Sequence, residues 1–303
     1  MDAANASDPS SSFEPAPTNG GVMSLLKLDR FALTLGSILA LALTFWILRT
    51  MNIPAVLFRA GSVLQQPGWI VVLGTLWVCI ALSAIVATVV ASRTHYDGGL
   101  FCACIALAGV SSHFGTIRYA LLPAGGNGIY LALAVELILL YLPIIGVWFI
   151  LHRMSTSGLL PAEHALDESD ADEPLDQKLL ATAAQTLLTM ICMMLLCQSD
   201  VKRQTLASVF VSAYLGALIV HHFFIPTRPS AWYWTGPLVV GLVGYIGQSF
   251  GGTDFLIGEA KGFFAPMARP LPMDYASLGV AGAMMGYWTS QRWHRARLEL
   301  EEG

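Results

Sequence analysis

A single carboxylate inside an apolar stretch raises the first chemical question. Glu136 stands some eight residues into the run 128–151, where no other charged side chain occurs, and helical rise places it about 11 Å below a membrane surface. Insertion scales put a central acidic group at roughly 2.5 to 3.5 kcal/mol, so it must be protonated, paired or facing water. Pro143 follows on nearly the same helical face, and its missing amide frees the carbonyl of Leu139 between them. That face is expected to line a polar pocket. Chain parity puts His113, Glu136 and Gln248 in the outer half of the membrane, with Arg118 at the rim. Together these side chains are expected to surround a solvent-accessible cavity, against the plainer reading of unrelated interhelical hydrogen bonds. Gln185 is a further candidate, on a stripe with Thr182, Thr189 and Cys192 at helical spacing.

A second group lies near the other membrane face. His221 and His222 titrate near neutrality and are candidates for proton or ligand contact. As neighbours on a helix they diverge by about 100°, which makes them a poor metal chelate. Cys102 and Cys104 fail similarly, because two helical steps turn them to opposite sides. No metal and no cofactor is expected. Ser111, in a Gly-Val-Ser, would need a histidine for intramembrane proteolysis, but His221 lies toward the opposite face. The glycine-rich turn 125–128 lacks the lysine and hydroxyl of a phosphate loop.

The elements that must position these groups are eight apolar runs: 31–48, 69–92, 98–117, 128–151, 179–199, 204–225, 231–253 and 275–291. A bilayer core needs about 20 helical residues. Backbone amides in lipid must be satisfied within their own segment, and the absence of period-2 alternation selects helices over a barrel. Composition agrees, with 55% hydrophobic and 12% charged residues and a mean hydropathy of +0.62. The net charge of −4, without a Lys/Arg cluster interleaved with exposed aromatics, leaves no electrostatic footprint for a nucleic-acid partner, and none is expected. The expected partner is the lipid bilayer.

The sequence therefore predicts an all-α polytopic transmembrane helix bundle of about eight spans. A polar, disordered tail covers 1–26, and an acidic linker at 154–177 separates two four-helix halves, 27–153 and 178–292. A charged tail, 293–303, follows. The motifs GVSSHFG (109–115) and YIGQSFG (245–251) close the third and seventh runs and hint at a repeat. Gly282 with Gly286, and Gly247 with Gly251, have the GxxxG spacing of close helix contact, within the chain, in self-association or with other membrane subunits. Nine cationic residues against seven favour cytoplasmic termini in a cell membrane. The apolar loops 52–67 and 254–272 are expected along the membrane interface or folded over the bundle. The function expected is binding or passage of a small solute or lipid through the polar pocket. The alternatives are a membrane enzyme for lipid-linked substrates and a non-catalytic subunit of a membrane complex.

Overall fold

A computed structural model of the chain describes residues 19–50, 61–91, 97–124, 126–157, 174–224, 230–254 and 259–302. Most of the polar tail and of the acidic linker, and the first part of the loop 52–67, lie outside the described residues. The longer helices are α1 (Asn19–Thr50), α2 (Trp69–Ala91), α3 (Gly98–Ser111), α4 (Ile117–Ala124), α5 (Gly128–Thr156), α6 (Leu175–Leu196) and α7 (Lys202–Ile219). A π-helical turn, Val220–Phe224, prolongs α7. Then come α8 (Ala231–Trp234), α9 (Gly236–Ser249), a two-stranded antiparallel hairpin of β1 (Thr253–Asp254) and β2 (Glu259–Ala260), α10 (Ala265–Ala268) and α11 (Pro272–Asp274). A second π turn, Tyr275–Gly279, leads into α12 (Val280–Glu302). Helix α1 thus starts inside the segment read as a tail, and α12 runs on through the charged C-terminal segment.

This is an all-helical bundle whose apolar helices fit a membrane protein. Among the described residues, five helices are long and apolar enough to cross a bilayer: Phe31–Thr50, Trp69–Val89, Gly128–Ser155, Leu175–Leu196 and Lys202–Phe224. Their outward faces carry large apolar side chains, among them Ile38, Trp46, Ile85, Val89, Phe149 and Leu195, all well exposed. Helices apolar on every face need lipid or protein all round.

Three runs are not among them: 98–117 holds the 14-residue helix α3, 231–253 holds α8 and the 14-residue α9, and 275–291 holds the second π turn and the start of α12. Helices α3 and α9 are each about 21 Å long by helical rise. Side chains take backbone carbonyls at the C-terminal ends of α3 and α9. Ser112 Oγ donates to Gly109 O at 2.7 Å and His113 Nδ1 lies 3.0 Å from the same oxygen. Ser249 Oγ takes Ile246 O at 2.6 Å. Both glycine-rich motifs thus coincide with a helix end. Helix α3 is also held at both ends by carboxylate–serine bonds to the second half. Ser230 Oγ donates to Asp97 Oδ2 at 2.6 Å, and Ser111 Oγ donates to Asp274 Oδ1.

Close helix contacts rest on small residues. A Cβ at Gly282 or Gly286 would stand 2.5 Å from Phe210 O or 2.3 Å from Tyr214 O, so these glycines seat α12 on the backbone of α7. Gly247 lies against the Phe264 ring, while the space beside Gly251 is filled by Gln248 of its own motif. Cys102 belongs to a small cluster with Ala40, Ala87 and Ala106, whereas Cys104 packs in the main core. The two thiols face apart, as two helical steps require.

Candidate functional site

Short connections gather at the end of the bundle where α3 and α9 stop. Asp200 lies between α6 and α7, Arg118 in the first turn of α4, Glu259 at the start of β2, and Arg269 just after α10. With Thr116, Tyr119, Gln198, Ser199 and Val201 they line an open cavity of about 650 Å³. Arg118 Nη2 donates to Glu259 Oε1 at 2.8 Å, and its Nε lies 3.7 Å from Asp200 Oδ2. Arg269 Nε stands 3.0 Å from Asp200 Oδ1, and its Nη1 donates to Cys197 O at 2.6 Å. That second bond satisfies an orphan carbonyl at the end of α6, which fixes the guanidinium.

The Asp200 pairings are ionic contacts without hydrogen-bond alignment. Asp200 Oδ1 and Arg269 Nε are both buried, and neither has an aligned hydrogen-bond partner among the described residues. The charges attract, but the directional valence of the carboxylate stays open. Burial raises the Asp200 carboxyl above its ordinary range, against the downward pull of Arg269 and Arg118. Exposure falls from the rim inward, from 46% for the Arg118 side chain to 18% for Asp200. Behind them Lys202 Nζ meets Asp274 Oδ1 at 2.7 Å. Asp274 is fully buried and also accepts from Ser111 Oγ and from Leu271 N at 2.9 Å. Ser111, itself fully buried, has no opening to a substrate. The neighbouring Cys197 is fully buried.

Of the residues singled out in the sequence, Arg118 lines this cavity. Glu136, His113, Gln248 and Gln185 are not on its wall, and Glu136, His113 and Gln248 each bond a different set of partners. Glu136 is 2% exposed. Its Oε2 accepts from Ser62 Oγ at 2.6 Å, Val63 N at 2.9 Å and Leu64 N at 3.2 Å. The described part of the apolar loop before α2 thus enters the bundle and delivers three donors to one carboxylate oxygen. The Leu139 carbonyl freed by Pro143 is not open either, because Trp77 Nε1 donates to it at 3.0 Å. His113 is exposed at the C-terminal end of α3, edge-on to Phe45. Gln248 Nε2 clasps Gly252 O at 2.8 Å and Lys261 O at 2.7 Å, which ties α9 to the hairpin. Gln185 is buried against Gly236, and its carboxamide nitrogen and oxygen make no hydrogen bond among the described residues.

At the opposite end, His221 is buried, with Nδ1 2.7 Å from Ser290 Oγ and its ring edge-on to Tyr233 and Tyr287. His222 is half-buried and packs on Trp293 and His294. The pair splits between interior and periphery, as adjacent helical positions must. No group of three or more His, Cys, Asp or Glu able to hold a metal occurs among the described residues.

Sequence reasoning missed Asp200, Glu259, Arg269, Lys202 and Asp274 as site residues. They sit in polar connections, where charge is ordinary, and only tertiary folding brings them together. The available signal was the density of charge beside apolar runs at 200–203 and 269–274. No protein-family model matches the chain, and no curated protein or solved structure is similar to it.

Proposed function

We propose that this membrane protein binds a small charged solute in the cavity around Asp200 and passes it toward the bundle interior. The observation that supports this reading is the meeting of Arg118, Arg269, Asp200 and Glu259 on the wall of a cavity of about 650 Å³. That volume lies within the range of small-ligand sites. A charged wall beside an apolar bundle is expensive to maintain for stability alone.

The same reading keeps eight membrane-embedded segments, with α3 and α9 crossing part of the bilayer, and cytoplasmic termini in a cell membrane on the sequence charge bias. The solute pocket moves from Glu136 to Arg118 and its partners.

The test is one cysteine at position 116, on the cavity wall, in a cysteine-free background reconstituted into vesicles. A membrane-impermeant thiol reagent should label it from one side, and solutes that bind should slow labelling. Absence of labelling from either side would remove the cavity from the function.

A further inference from the structure

The charges on the cavity wall specify more than a charged solute. Two guanidiniums, Arg118 and Arg269, face two carboxylates, Asp200 and Glu259, so the wall is balanced. An anion or a cation bound alone would leave an unmatched charge beside a low-dielectric bundle, which is costly. A solute carrying both charges keeps the balance.

Hydrogen-bond valence points the same way. Asp200 has charge contacts at 3.0 and 3.7 Å, yet it accepts no aligned hydrogen bond among the described residues. Arg269 Nε stands at 3.0 Å from Oδ1 but out of line, so that oxygen has room for a better-directed N–H donor. Arg118 places one donor on Glu259 and Arg269 one on Cys197 O, so each planar guanidinium retains N–H groups for a carboxylate. In an α-amino acid the nitrogen and the carboxylate oxygens are about 3 Å apart, from standard bond lengths. That spacing matches an aspartate flanked at 3.0 and 3.7 Å by two arginines. Tyr119 and Val201 supply apolar wall for a side chain.

Resting on the solute-site reading above, we infer that the ligand is a zwitterionic α-amino acid with an apolar side chain. Its ammonium is held by Asp200 and its carboxylate by Arg118 and Arg269.

The experiment titrates the full chain in lipid nanodiscs calorimetrically with leucine and with its two halves, isoamylamine and 4-methylpentanoate. Leucine should bind at least tenfold more tightly than either half. Asp200→Asn should lose leucine affinity by tenfold or more while leaving 4-methylpentanoate unchanged or tighter. Arg118→Gln, at the exposed rim, should weaken leucine and 4-methylpentanoate together. A general folding defect would not produce that opposite response.

Equal affinity for leucine and 4-methylpentanoate, or no leucine binding by a protein whose position-116 cysteine is labelled, would overturn the amino-acid assignment and leave the solute cavity standing. Failure of labelling at position 116 would overturn both.

Discussion

Glu136 and Asp200 are two carboxylates in opposite circumstances. Glu136 is the more deeply placed, 2% exposed, and one of its oxygens receives three donors from a loop that enters the bundle. Asp200 is closer to solvent and has charge on both sides, with Arg269 Nε 3.0 Å from Oδ1 but out of line with it. Depth marks the structural residue here, while unfilled hydrogen-bond valence marks the binding candidate. An acidic residue in a membrane helix is a functional hypothesis by default. In this chain the default is answered by a backbone segment that consumes the charge.

The sharpest way to break the contrast is at Glu136. Glu136→Ala would strand Ser62 Oγ and the amides of Val63 and Leu64, and unpaired buried groups cost about 1 to 3 kcal/mol each. The expected loss is on the order of 3 to 5 kcal/mol, read from unfolding in mild detergent by circular dichroism. Glu136→Gln keeps an accepting oxygen and should melt nearer to the parent, with leucine affinity unchanged. If Glu136→Gln kept its melting temperature but lost the solute, the structural assignment would be wrong.

Next in size is Lys202→Met, which removes the countercharge of the fully buried Asp274 and should cost about 3 kcal/mol. The double variant Lys202→Met, Asp274→Asn should recover much of that loss, because the stranded charge goes too. Asp200→Asn should change stability by less than about 1 kcal/mol, in the range of partly exposed pairs. Its effect should appear in binding.

The pH profile sharpens the contrast further. The ionised form of Asp200 is the one that holds an ammonium, and its folded carboxyl is raised by burial. Leucine affinity should therefore be full at neutral pH and fall on acidification, beginning above the ordinary aspartate value of about 3.9. Calorimetry across pH should lose that inflection in Asp200→Asn. The smallest effect is expected for Arg118→Gln on stability, a few tenths of a kcal/mol for a half-exposed ion pair, measured by thermal unfolding.

The apolar character and helical class of the chain were legible because both follow from local composition and the need to satisfy backbone amides. The poor chelation geometry of Cys102 and Cys104, and the split environments of His221 and His222, were legible from helical rotation alone. The partners of Glu136 were not, since a loop that folds inward leaves no periodic trace at 61–64. Pro143 did free the Leu139 carbonyl, but nothing local to α5 announces that Trp77 will occupy it. The lengths of α3 and α9 were overestimated for a related reason. Hydropathy continues past Ser111 and Ser249, so it does not mark where the helices end. Asp200 and Arg269 lie far apart in the chain, and the cavity wall they share exists only once α6, α7 and α10 have packed.

The glycine contacts between α7 and α12 bear on how the protein is made. Gly282 and Gly286 bring one helix onto the backbone carbonyls of another, so the groove on α7 has no fitting occupant until α12 has been synthesised. During translation α7 must wait in lipid, or beside the insertion machinery, with that groove unfilled. The commitment step in assembly is then the lateral docking of α12, and Gly286→Leu should appear first as rapid clearance of newly made chains.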